Sequence, residues 1–383
     1  MSEKLILHIG THKTGTTALQ AALAANESTL QAVGFSYPLM PETWPHIKRD
    51  RNAYWLSMAA LQEIDSVQAR HTAKIPACLE YFTQIAATSN KALVLSDERM
   101  WYCGTKRGYW EAVRDIVRQA GVDEVQIVVY LRRQDLFVES LWAQYVKGNT
   151  RLEKPLDEYL TKQKTLAVCD YAAGIKRLKR VFGSNSIIVR IYDRPALVGD
   201  DTVTDFLDVL GVGPSASIER PPASSNDSLS PSMTLLKLAL NQTPEYKNAA
   251  SNYLLATLAE VSRADDVKRA GFMTPEQRKV FLARYEAGNK QIAREFFGRD
   301  ELFSVRDGEL ETEAFVLDAD KLAHQTSEVI VKAVEHERRA SEKKIAKLEK
   351  RIRVLESRES ARLSSRLKRL IKRVFSHNGA RGN

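Results

Sequence analysis

Residues 10–17, GTHKTGTT, combine the residue types and the spacing of a phosphate cradle. Glycines at 10 and 15 let the backbone approach a ligand closely. A helix opening at Thr16 would turn its free N–H groups and positive dipole end toward the same point. The skeleton G-x-x-x-x-G-x-T is that of the P-loop, except that Thr16 stands where a nucleotide triphosphatase carries lysine. The lysine of this chain sits earlier, at Lys13. There it can reach a bridging oxygen near the loop but is poorly placed to span a β,γ-phosphate pair. Thr17 offers a hydroxyl for a metal, yet the apolar run 125–131 ends in Arg132-Arg133 and supplies no acid beside it. Magnesium-nucleotide hydrolysis therefore lacks its usual lysine and its usual carboxylate. A Gly-Thr turn that merely caps a helix is the plainer alternative. Apolar strand, glycine loop, lysine and helix together favour an anion site.

Arg132 closes the run 125–131, and Ser140 follows eight residues later. A strand-end arginine can fork onto phosphate oxygens, and the helix after it can present a hydroxyl from its first two turns. LHIGTHKTGTTALQ (7–20) and VVYLRRQDLFVES (128–140) together resemble PAPS-dependent sulfotransferases, particularly bacterial ones related to the carbohydrate sulfotransferases. The resemblance implies a P-loop-like α/β core that takes 3′-phosphoadenosine 5′-phosphosulfate (PAPS) as co-substrate and requires no metal. On this match Lys13 stabilises the leaving phosphate, and Thr14, Gly15, Thr16 and Thr17 bind it through N–H and hydroxyl groups. Arg132 and Ser140 match the element that binds the 3′-phosphate. Counting back from Ser140 selects Arg132 over Arg133. The family often carries Asn-Pro after the arginine, and Arg133-Gln134 departs from that, which bears on the shape of the turn. Weaker similarities, among them NDSLS (226–230) and NKQIA (289–293), extend the match to about residue 305.

Sulfuryl transfer to an alcohol needs a base for the acceptor proton and positive charge at the departing phosphate. The run Ala92–Ser96 ends in Asp97-Glu98-Arg99, at the sheet edge where ligands bind. Ser96-Asp97-Glu98 resembles the Ser-x-Glu of bacterial relatives, so Glu98 is the first choice of base. A carboxylate that caps the next helix or pairs with Arg99 is nearly as good a reading. His46 ranks second, because relatives often carry a histidine after a Tyr-Pro pair such as Tyr37-Pro38. His12 is expected to shape the loop, and His8 to be a core residue.

The elements that must position these groups follow from the apolar pattern. Runs 5–9, 92–96, 125–131 and 186–192 are short and rich in Val, Ile and Leu, as buried strands are. Helical patterns at 16–33, 107–120, 134–147 and 171–182 lie between them, each stopped by a glycine. The alternation predicts a mostly parallel sheet covered on both faces, and with the resemblance a three-layer, P-loop-NTPase-like α/β fold. After residue 202 the pattern turns helical. It includes a turn-rich break at 220–231, read as an ordinary surface loop in preference to a lid over the nucleotide, and one long helix over 274–297. The expected division is an α/β domain at 1–317 and a helical tail at 318–383.

The chain has 383 residues and a net charge of +9, and that charge is concentrated in the tail. Residues 333–383 hold 16 Lys+Arg against 6 Asp+Glu, while the remaining 332 hold 41 against 42. Ile345, Leu348, Ile352 and Leu355 follow coiled-coil spacing, so self-association is expected there. Leu363, Leu367, Leu370 and Val374 form a second stripe among basic residues, which suits an anionic membrane surface. Nucleic acid is disfavoured as a partner. Three scattered cysteines offer no metal spacing and suggest a reducing compartment. The start, MSEKLILHIG, lacks the features of a signal peptide, so a cytoplasmic location is expected, peripheral at the membrane if the tail binds it. The competing readings are a P-loop phosphotransferase using magnesium-ATP and a non-enzymatic adaptor acting through its basic tail.

Overall fold

Among the described residues one sheet of five parallel strands organises the chain: β1 (Lys4–His8), β2 (Phe35–Ser36), β3 (Ala92–Ser96), β4 (Glu124–Leu131) and β5 (Ile187–Ile191), in the order β2-β3-β1-β4-β5. The structure, a computed structural model, describes residues 4–65, 72–148, 150–213, 218–221, 228–244, 252–267 and 271–378. Side chains alternate between two apolar clusters, as the pleat requires. Leu5, Leu7, Ile127 and Val129 enter one cluster, and Ile6, Val128 and Tyr130 the other.

Helices α1 (Thr16–Ala25) and α2 (Glu27–Ala32) close one face of the sheet. Against the other face lie α3 (Tyr54–Glu63), α4 (Ile75–Thr88), α5 (Arg99–Cys103), α6 (Tyr109–Gln119), α7 (Gln134–Lys147), α8 (Leu156–Leu160), α9 (Gln163–Cys169) and α10 (Tyr171–Phe182). Helix α11 (Thr202–Val209) returns to the first face, inserting Val203, Phe206 and Leu207. The result is a three-layer α/β fold. Its strand order places β1 between β3 and β4, so three strand ends meet at the carboxyl edge where the chain switches direction across the sheet.

A third apolar cluster is built mainly from helices. It joins α12 (Pro231–Gln242), α13 (Asn252–Ala264) and the last helix through Met233, Leu258, Val261 and Val329. Between them run α14 (Pro275–Ala283) and α15 (Glu286–Phe297). The last helix, α16, is continuous over Ala319–Asn378 and 60 residues long.

Several expectations need correction. The pattern at 16–33 is two helices, divided at Asn26, whose side-chain amide bonds the carbonyls of Ala22 and Glu219. The pattern at 274–297 is also two, α14 and α15, joined through Arg284 and Tyr285. Thr274 and Gln277 do form the capping box that their spacing announces. The two tail stripes lie on one uninterrupted helix. Half of the 220–231 break, residues 222–227, lies outside the described residues.

Candidate active site

Pairing with β4 continues past the end of β1: Thr11 N–H donates to the Tyr130 carbonyl (3.0 Å) and Tyr130 N–H to the Gly10 carbonyl (2.7 Å). The loop is thereby tied to the strand that delivers Arg132. Gly10, Lys13 and Gly15 all take positive φ, at 93°, 66° and 75°. Lys13 adopts a conformation that non-glycine residues rarely occupy, as is common at functional turns. The two glycines are required by close approach as well. A Cβ on Gly10 would lie 2.8 Å from Glu98 Cβ, and one on Gly15 2.8 Å from Thr202 Oγ1.

Helix α1 begins immediately after Gly15 with no side-chain cap, so its first N–H groups remain available to a ligand. The Thr14 hydroxyl donates to the Thr11 carbonyl (2.7 Å), which leaves this residue its backbone N–H for a ligand. Thr16 is buried and Thr17 exposed, and neither hydroxyl has a hydrogen-bond partner among the described residues. The Lys13 ammonium likewise makes no ion pair among them. Burial first, then Arg132 and Lys147, push its pKa below the ordinary lysine value.

The two adjacent arginines have different surroundings. Arg132 donates from Nη1 to the Lys13 carbonyl (3.3 Å), and its guanidinium lies 5.9 Å from the Tyr192 ring centroid. Tyr171 holds the Arg132 backbone through a 2.6 Å bond to its carbonyl. Arg133 instead forms a two-pronged pair with Asp135, at 2.8 and 2.9 Å, and reaches Glu309 at 3.0 Å. Arg278 approaches the same Asp135 at 3.4 Å. Arg133 therefore belongs to a buried structural network, and Arg132 faces the loop. Ser140 is half-buried on α7, and its hydroxyl has no hydrogen-bond partner among the described residues. Lys147, seven residues on, projects from nearly the same side of that helix. Sequence reading missed Lys147, although its spacing from Ser140 was visible.

At the end of β3 carboxylates gather instead. Glu98 begins α5 but does not cap it with its side chain, and it pairs with Arg51 (3.3 Å) rather than with Arg99. Its other oxygen accepts from Gln20 Nε2 at 2.9 Å. Gln20 also bonds Ser96 Oγ (3.2 Å), which lies 2.8 Å from His8 Nδ1, so α1, β1 and β3 are linked by one polar chain. Asp97 is fully buried against Arg51, with Nε–Oδ1 at 2.7 Å, and accepts from Arg99 N–H. Burial works against the Arg51 charge, but Asp97 and Glu98 outweigh it and raise its pKa. Arg51 is the main site residue that sequence reading missed.

The histidines divide as well. His8 is fully buried, and burial lowers it to about 3. His12 is pushed to about 4 by burial, then by Arg51, Arg99 and Lys13, with Asp97 acting in the opposite sense. Both are neutral imidazoles at pH 7. His46 sits exposed in the Trp44–Ile47 turn with no hydrogen bond or ion pair among the described residues, so the structure does not join it to Glu98 or to the loop. Among the described residues no group of three or more His, Cys, Asp or Glu is placed to hold a metal. No helix among them is long and apolar enough to cross a membrane.

Fold and site define a three-layer α/β protein with a P-loop-like glycine loop at the centre of its sheet edge. No protein-family model matches the chain. An uncharacterized protein of Archaeoglobus fulgidus is 33% identical over 216 residues, which make up 55% of this chain and 55% of the relative. The match thus spans about half the length of that curated relative. The crystal structure of a sulfotransferase from Alicyclobacillus acidocaldarius is similar over 59% of this chain and 88% of its own, with 16% identity and a TM-score of 0.38.

Proposed function

We propose that this protein is a sulfotransferase that binds PAPS at the carboxyl edge of β1 and β4 and passes its sulfuryl group to an acceptor hydroxyl. The acceptor is a saccharide, on the strength of the family resemblance. One observation carries the reading: Arg132 bonds the Lys13 carbonyl beside an uncapped helix start, where the charges of Arg132 and Lys147 oppose that of Lys13, while the Glu98 segment packs against Gly10 of the same loop. A cation whose charge is opposed by two others is suited to a ligand that brings negative charge.

PAPS supplies two phosphates and an activated sulfuryl group. The N–H groups at the start of α1, with the Thr16 and Thr17 hydroxyls, hold the 5′-phosphate. Lys13 takes up the negative charge that develops there as sulfur leaves. Arg132 and Ser140 hold the 3′-phosphate. Glu98 accepts the proton of the acceptor hydroxyl, with Arg51 and Gln20 fixing the direction of its carboxylate. Arg133 is kept from this work by Asp135 and Glu309.

Calorimetric titration with 3′,5′-ADP, compared with ADP and ATP in magnesium, tests the proposal. Binding of 3′,5′-ADP without metal, and in preference to the other two, is the expected result. A preference for magnesium-ATP would replace the reading with a phosphotransferase. No binding by a folded chain would favour the adaptor.

A further inference from the structure

We propose that residues 344–358 of α16 pair with the same segment of a second copy as a parallel, in-register, two-stranded coiled coil. The inference is independent of the sulfotransferase reading. The beginning of α16 is fastened to its own chain. Val329 enters the third apolar cluster, Lys321 and Gln325 bond Asp265 (2.9 and 3.0 Å), and Lys332 pairs with Glu260. The later part of the helix has no such cover among the described residues. Ile345, Leu348, Ile352 and Leu355 are 55%, 48%, 53% and 61% exposed, and the 3-4-3 spacing puts all four on one face.

Two features select the occupant of that face. The positions with β-branched residues, Ile345 and Ile352, alternate with Leu348 and Leu355, the arrangement that favours two parallel strands. The flanking charges agree. Lys344, Arg351 and Arg358 line one flank of the seam, and Glu349 and Glu356 line the other. In a parallel pair Lys344 faces Glu349 of the second copy, and Arg351 faces Glu356. In an antiparallel pair basic flank meets basic flank and acidic meets acidic, so every contact is repulsive. Exposed pairs of this kind contribute little affinity, but they set orientation. The seam is bounded. Upstream, Arg338 and Ser341 occupy its positions and Glu337 would face Glu342. Downstream, Glu359 and Arg362 occupy them. Pairing would therefore hold two folded bodies at one end of a shared stalk and bring the two basic ends together at the other.

Sedimentation equilibrium of the full chain over a concentration series should show a monomer of 43.2 kDa in equilibrium with a species of twice that mass. Glu349→Lys/Glu356→Lys, which makes both flanks basic, should weaken association at least tenfold. Mixing it with Lys344→Glu/Arg351→Glu should restore association. A chain that stays monomeric throughout, a trimer or tetramer, or a dimer indifferent to Ile352→Lys would overturn the proposal. Orientation is read with Leu355→Cys, since the native Cys78, Cys103 and Cys169 are buried. A parallel pair brings the new cysteines within disulfide reach. An antiparallel pair centred on the seam separates them by about 15 Å. Rapid crosslinking of Leu355→Cys to itself supports the parallel arrangement. Crosslinking only in a mixture with Ile345→Cys contradicts it.

Discussion

The ends of β4 and β3 flank the same loop and treat a buried cation in opposite ways. On the β4 side Lys13 is pushed toward neutrality by burial, Arg132 and Lys147. On the β3 side Arg51 is held charged by Asp97 and Glu98 against the cost of its burial. A cation stabilised by its own carboxylates is already provided with counter-charge and serves to position them. One opposed by its neighbours gains most when an anion arrives. On the proposed function, donor binding falls to the β4 side and proton transfer to the β3 side, with the glycine loop between them.

The largest expected effect breaks the β3 side alone. Glu98→Gln keeps the shape of the residue and should lower acceptor-dependent turnover of PAPS by about 10²–10⁴-fold. Its affinity for 3′,5′-ADP should stay within about twofold, since general-base removal leaves ground-state donor contacts intact. Turnover that survives the change would make Glu98 a scaffold residue.

Arg133→Ala sharpens the β4 side by separating structure from binding. It leaves Asp135 buried with Arg278, at 3.4 Å, as its one remaining cation among the described residues, and should cost about 3 kcal/mol in urea unfolding. A variant as stable as the parent would show that the pair is not a structural element.

His12 lies between the two sides, and its behaviour with pH tests how the loop is buried. Its folded pKa, about 4, lies below the ordinary 6.5, so on acidification the unfolded chain takes up the proton first. Its contribution is complete above pH 6.5 and is lost as pH falls toward 4, in total about 3 kcal/mol. Urea midpoints at pH 7, 5.5 and 4 should fall in that order, and His12→Gln should flatten the part of the slope that this group supplies. Lys13→Ala should have the smallest effect of the series, weakening 3′,5′-ADP binding by roughly 10- to 100-fold. Equal affinity in that variant would remove the lysine from donor binding.

The β4 side of this arrangement was legible in the sequence because its parts are local. The loop, its glycines and Lys13 fall within eight residues, and Arg132 and Ser140 share one strand-helix unit. The β3 side was legible only in Glu98. Its partner Arg51 lies 46 residues before Asp97 in sequence, in an irregular segment whose direction no periodicity records. Gln20 looks like an ordinary helix residue until β3 is placed beside α1. Helix α3 escaped notice for a different reason. Tyr54 to Leu61 are all buried, so the helix has no polar face to give it a readable stripe. The two-residue strand β2 is too short to carry an alternation, and the Asn26 break depends on Glu219, far along the chain.

The assignment of neighbouring arginines to different tasks is the claim most open to direct test. Calorimetric titration of Arg132→Ala and Arg133→Ala with 3′,5′-ADP, each at a temperature where the variant is folded, measures it. The account predicts that Arg132→Ala weakens binding about 100-fold while Arg133→Ala binds as the parent does. Undiminished binding by Arg132→Ala, with loss in Arg133→Ala, would contradict it.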